Sequence, residues 1–155
     1  MKIDHVNIVV ADIERAAEFY SRIFGWRRGF EKVLEGAWIE TVTGISGARA
    51  HCVFMEAEAE NQTSEKSSVR LELLQYLTPG GALFPENSRP DTRGLRHLAF
   101  EVDDLDALIS RLKAAGVQPI SAPVEVPFAV AAMGRKRLCY FHDPDGTLLE
   151  AAAND

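Results

Sequence analysis

Apolar and polar residues follow two periods along this chain. Ile3–Val10 mixes strand formers with polar residues and reads as a strand. Asp12 then stands ready to cap a helix over Ile13–Phe24, in which Ile13, Ala16, Ala17, Phe19, Tyr20 and Ile23 recur at helical spacing. Gly25 closes that helix. Trp26–Leu34 reads as a second strand and Arg49–Ala57 as a third. Between them, Gly36–Gly47 is irregular, with WIETV as one helical turn or a short strand. Glu58–Ser68 is polar throughout and predicts a hairpin loop into a fourth strand, Val69–Tyr76.

The pattern then starts again. Leu95–Val102 is a strand, Asp104 a cap, and Leu105–Ala115 a helix with Leu105, Leu108, Ile109 and Leu112 on one face, closed by Gly116. Val117–Ile120 begins a further strand, and Val124–Gly134 is partly loop. Arg137–His142 and Thr147–Ala152 are strands joined by the turn Asp143-Pro144-Asp145-Gly146. With an offset of 92 residues, His5 falls on His97, Val10 on Val102 and Asp12 on Asp104. The chain is thus expected to be an α+β domain of two βαβββ modules, 1–77 and 94–155. The Pro- and Gly-rich segment 78–93 joins them.

The repeat singles out four side chains. The first strand of each half carries a histidine, His5 and His97. The last carries a glutamate between apolar neighbours, Glu72 and Glu150. A carboxylate in such a setting needs a partner. If the halves pack as pseudo-twofold copies, the two pairs converge on one centre. Two imidazoles and two carboxylates suit one divalent ion, Zn, Ni, Co, Mn or Fe(II). Six-coordination leaves two positions for water or substrate. Recurrence of both residue types at matching places is what raises these four above ordinary core or surface residues. His51 and His142 have no repeat partners and are read as structural.

Composition narrows the partners. The 155 residues are 46% hydrophobic with a formal net charge of −6, which argues against a nucleic-acid surface. No apolar run is long enough to span a membrane and no leader is legible at the N-terminus. Cys52 and Cys139 lie in apolar runs and are expected as buried free thiols in a reducing, cytoplasmic compartment.

Three stretches carry a resemblance: IDHVNIVVADIERAAEFYSRIFGW, GLRHLAFEVDDLDALISRLKAAGV and the closing DPDGTLLE. They resemble the vicinal oxygen chelate superfamily of glyoxalase I, methylmalonyl-CoA epimerase, extradiol dioxygenases and the bleomycin- and fosfomycin-resistance proteins. The resemblance implies modules whose sheets curl around a metal cavity, with His5, Glu72, His97 and Glu150 as ligands. It also implies a homodimer and a small-molecule substrate. A His, Glu, His, Glu set resembles bacterial glyoxalase I and the epimerases, and implies a metal-dependent lyase or isomerase that moves a proton next to a metal-held carbonyl. By the same resemblance Glu150 is the first choice of base and Glu72 the second. Glu40 and Glu56 are outside candidates, each expected at the surface. The alternatives are an Fe(II) extradiol-type dioxygenase and a non-catalytic drug- or metabolite-binding protein. Arg135-Lys136-Arg137 offers charge for an anionic substrate tail, but is expected first as a solvated basic loop. Phe128–Met133 is either a cover over the cavity or a core strand.

Overall fold

The computed structural model describes residues 3–57, 69–83, 89–128 and 134–154. The chain divides into two units, Met1–Leu83 and Phe84–Asp155. The first unit runs β1 (His5–Val9), α1 (Ile13–Phe24), β2 (Arg27–Leu34), α2 (Ala37–Thr43), β3 (Arg49–Glu56) and β4 (Arg70–Thr78). The second runs β5 (His97–Glu101), α3 (Leu105–Ala114), β6 (Val124–Glu125), β7 (Lys136–His142) and β8 (Leu148–Asn154). Each unit holds one four-stranded sheet, β1-β4-β3-β2 and β5-β8-β7-β6. In both, the first strand pairs parallel with the last and the other pairings are antiparallel. The fold is the α+β arrangement of two βαβββ units expected from the repeat.

The helices start where the sequence caps them. The Asp12 carboxylate accepts the Arg15 amide at 3.0 Å, and the Asp104 carboxylate accepts the Ala107 amide at 2.8 Å. Gly25, at φ 70°, takes the left-handed conformation that ends α1. Helix α1 buries Ile13, Ala16, Ala17, Phe19, Tyr20 and Ile23 and packs on β3 and β4. Helix α3 buries Leu105, Leu108, Ile109 and Leu112 and packs on β8. Burying each of the larger side chains contributes about 1.5–3 kcal/mol.

Strand alternation sorts each sheet into two faces. In β4, Leu71 and Leu73 lie on one face, and Glu72, Leu74 and Tyr76 on the other. That second face also holds Ala50, Cys52 and Phe54 of β3, forming an apolar cluster with Leu34, Leu74 and Tyr76. In β8, Leu149 and Ala151 alternate with Glu150 and Ala152.

Of the two readings of WIETV the helical one holds: a seven-residue helix, α2, spans it between Gly36 and Gly44. Two expectations change. Val117–Ile120 forms no strand. Pro119 lacks the amide proton a ladder needs, and the segment's one bond to β7 is from Ile120 N–H to the Tyr140 carbonyl at 2.7 Å, while Val117 N–H turns back to the Leu112 carbonyl at 2.9 Å. The short partner of β7 is instead Val124–Glu125. The basic triplet is not a loop, since Lys136 and Arg137 begin β7. The hairpin segment Glu58–Ser68, and Ala129–Met133 of the apolar run, lie outside the described residues; Phe128 is exposed. Among the described residues no helix is long and apolar enough to cross a membrane.

Candidate metal centre

The sequence-predicted residues meet as two pairs, one in each unit. In the first, β1 is in register with β4 so that Asn7 stands opposite Glu72, two residues from His5 and on the same side of the strand. His5 Nε2 lies 3.5 Å from Glu72 Oε2. In the second, Ala99 stands opposite Glu150, and His97 Nε2 lies 3.4 Å from Glu150 Oε2. The registers are the same, so the pairs are repeats of one arrangement.

These distances are long for a hydrogen bond. They are close to the separation of two donors on one ion, about 3.0–3.4 Å when each bond is about 2.1 Å. The donor types and spacing therefore fit a divalent metal. An aromatic ring completes each pair. Phe54 faces Glu72 across β3–β4 and meets His5 edge-to-face at 5.6 Å. Tyr140 faces Glu150 across β7–β8 and meets His97 at 5.3 Å. Neither ring stood out in the sequence.

The supports of the two pairs differ. His5 Nδ1 donates to Asp4 Oδ2 at 2.8 Å, which leaves Nε2 as the ring nitrogen facing Glu72. Arg70 bonds the same Asp4 oxygen at 2.6 Å and lies over the Phe54 ring at 4.7 Å. The His5 imidazole and the Arg70 guanidinium together hold the Asp4 carboxyl below the usual carboxylate range. Glu72 accepts the Asn7 amide at 3.0 Å on Oε2 and the Cys52 thiol at 3.4 Å on Oε1. Burial, then that hydrogen bond, pushes the Cys52 thiol up to about 12.

In the second unit Glu150 is 4% exposed, one of two buried charged residues among those described. Its Oε1 lies 2.6 Å from Lys136 Nζ, a charge contact without the alignment of a hydrogen bond. This corrects the reading of the triplet as a solvated loop. Arg135 and Arg137 do reach exposed carboxylates, Glu125 and Asp106, whereas Lys136 is turned to the other side of β7 and is largely covered. Strand alternation carried the signal: Lys136, Leu138 and Tyr140 share a face. Burial, then a hydrogen bond to Glu150, raises the Tyr140 hydroxyl. Burial, then the Glu150 charge, raises the Cys139 thiol. Both cysteines are free and buried, as expected.

The remaining candidates lie elsewhere. Glu40 is half-buried on α2, and Glu56 pairs with Arg27 at 3.4 Å. His142 is exposed at the end of β7. His51 Nε2 bonds Glu31 at 2.8 Å, and Glu14 joins them in a cluster whose ligand atoms lie within 4.8 Å of one another. Arg28 bonds Glu14 and also pairs with Glu31 at 3.0 Å, so the cluster already holds its cation. That guanidinium keeps the Glu14 carboxyl below its ordinary value.

Comparison with known proteins agrees with this architecture. YaeR of Escherichia coli K12, an uncharacterized protein, is 44% identical over 81 residues, 52% of this chain and 54% of its own. That match spans about half of either protein. YwkD of Bacillus subtilis 168, also uncharacterized, is 27% identical over 155 residues, covering 96% of this chain and 93% of its own. The 4-hydroxyphenylpyruvate dioxygenase of Caenorhabditis elegans is 27% identical over 95% of this chain, which corresponds to 33% of the dioxygenase. Among solved structures, a glyoxalase family protein of Bacillus cereus superposes with a TM-score of 0.82 at 25% identity, over 99% of this chain and 94% of that one. The trypanothione-dependent glyoxalase I of Leishmania major shares the fold, with a TM-score of 0.65 at 20% identity over 99% and 86% of the two chains. The family model matches residues 2–151, and with it the chain belongs to the Glyoxalase/Bleomycin resistance protein/Dioxygenase superfamily.

Proposed function

We propose that the protein is a metal-dependent lyase or isomerase of the glyoxalase I or methylmalonyl-CoA epimerase type, acting on a small organic carbonyl compound. The observation that carries this reading is the repeated His–Glu pair, at 3.5 and 3.4 Å in identical strand register. His5, Glu72, His97 and Glu150 together would hold one divalent ion, from among Zn, Ni, Co, Mn and Fe. Such an ion supplies Lewis acidity toward a substrate carbonyl and acidifies the neighbouring C–H.

The chain's own residues do the rest. Phe54 and Tyr140 flank the imidazoles and fix their ring planes. Asp4 holds the His5 tautomer. A carboxylate within hydrogen-bond reach of the substrate takes the proton and returns it. Glu150 is the first candidate by family resemblance and Glu72 the second. Purified without chelators, the wild type should hold one metal per four-donor set by elemental analysis. Alanine at any of the four positions should weaken binding by more than about 100-fold, the upper end of what loss of a ligand's support costs. Glu150→Gln should keep much of the metal and lose about 10²–10⁴-fold in turnover. If Glu72→Gln shows that pattern instead, the base is Glu72. A wild type that binds no metal after reconstitution rejects the reading in favour of a non-catalytic binder.

The similarity to a dioxygenase favours one second reading, an Fe(II)-dependent dioxygenase. Oxygen uptake on a catechol after anaerobic iron loading would establish it. The homodimer implied by the family is a further part of the proposal. Light scattering at the mass of one chain across working concentrations would reject it.

A further inference from the structure

The two carboxylates of the repeated pairs are held by different chemistry. Glu72 is held by neutral donors, the Asn7 amide on Oε2 and the Cys52 thiol on Oε1. The matching register places Ala99 at the Asn7 position and Leu138 at the Cys52 position of the second unit. Neither side chain can donate a hydrogen bond. Four residues before the aromatic of each pair stand Ala50 in the first unit and Lys136 in the second. Ala50 is fully buried in the apolar cluster on its sheet. The second unit has thus lost the amide and the thiol; Tyr140 brings a hydroxyl where Phe54 has none, and Lys136 brings a cation, whose Nζ reaches Oε1 at 2.6 Å. Oε1 has no exposed surface and no aligned hydrogen bond, so the ammonium charge beside it is what offsets its burial. The other oxygen, Oε2, faces His97 Nε2.

Resting on the metal-site reading above, we propose that Lys136 is a positioning residue for Glu150. It occupies Oε1, orients the carboxylate, and leaves Oε2 as the single oxygen offered beside His97. The second unit thereby contributes a one-oxygen anionic ligand with fixed orientation. The first unit contributes a carboxylate whose two oxygens share neutral donors. A cation that only balanced buried charge would support the fold without setting which oxygen is offered. The two roles separate in the spectrum of a bound metal.

Cobalt(II) is the probe, added to the full chain freed of metal. Its visible spectrum and its affinity, by competition with a chelator, are read for the wild type, Lys136→Met and Lys136→Arg. Circular dichroism checks that each is folded. With Oε1 released, Lys136→Met should shift the visible bands as the ligand set changes and bind about 10- to 100-fold more weakly. Lys136→Arg keeps a cation at Oε1 and should restore both towards the wild type. A folded Lys136→Met with the wild-type spectrum and affinity overturns the proposal while leaving the metal site intact. A wild type that takes up no cobalt overturns the metal-site reading itself, and this proposal with it. Should Lys136→Met fail to fold, Lys136→Gln provides the same comparison, because its shorter neutral amide cannot hold Oε1 as the ammonium does.

Discussion

At the scale of single residues, Asp4 shows how an exposed group can govern a partly covered one. Its carboxylate accepts a hydrogen bond from His5 Nδ1, so Nε2 is the ring nitrogen turned toward Glu72. Replacing Asp4 by Asn keeps a hydrogen-bonding oxygen but removes the charge that favours this tautomer. The expected result is about 10-fold weaker metal binding with an unchanged fold, read by chelator competition and circular dichroism. Cys52 illustrates the reverse case. Its thiol stays protonated to about 12, against an ordinary value of 9.0, because it is buried beside Glu72. The folded state therefore holds that proton where the unfolded chain releases it. The resulting contribution to stability is complete below pH 9 and is lost as pH rises from 9 toward 12. At pH 8, iodoacetamide should leave Cys52 and Cys139 unmodified in the native protein and alkylate both in denaturant, as mass spectrometry would show. His5, His97, Glu72 and Glu150 were legible in the sequence because each occurs twice in matching places. Asn7, Cys52 and Lys136 were not, because they differ between the repeats. Their roles emerge only once strand register fixes which residue faces which carboxylate.

Among the elements, the helices were the most legible and the short strands the least. Asp12 and Asp104 repeat at the same offset as the histidines, and both cap as their position implies. Asp12→Ala and Asp104→Ala should each cost about 1 kcal/mol, lowering the thermal midpoint by roughly 2–4 °C for a chain of this size. An unchanged midpoint in either variant would mean that helix packing alone fixes the helix start. The apolar stripes of α1 and α3 were visible because a packed helix must repeat its contacts every three or four residues. Helix α2 was ambiguous, since seven residues between glycines give barely two turns of periodicity and bury only Ile39. Val117–Ile120 looked like a strand from its apolar residues, but Pro119 within it interrupts the row of amides a ladder needs. Lys136 was assigned to a loop because three consecutive cations resemble a surface run. Extending the period of β7 back by one residue would have turned Lys136 toward Tyr140.

For the whole molecule, the proposed four-residue set predicts a metal-dependent stability that one unit can report. The sequence supplies a selective reporter. The chain has two tryptophans, Trp26 and Trp38, and both belong to the first unit. Tryptophan fluorescence during thermal unfolding therefore follows that unit alone. If His5, Glu72, His97 and Glu150 act as one set, an ion at 100 times its Kd adds about 2.7 kcal/mol. The fluorescence midpoint should then rise by roughly 5–10 °C, given about 2–4 °C per kcal/mol for a chain of this length. Glu150→Ala changes only the second unit, at a position with no tryptophan beside it in the sequence. It should nonetheless abolish the metal-dependent rise, measured against the same variant without metal. His5→Ala should abolish it equally. A wild-type rise persisting in Glu150→Ala would show that the His5–Glu72 pair binds the ion without the second unit, and the four-residue set would be wrong. A rise lost in both variants would mean that the metal-dependent stability of the first unit requires a donor supplied by the second.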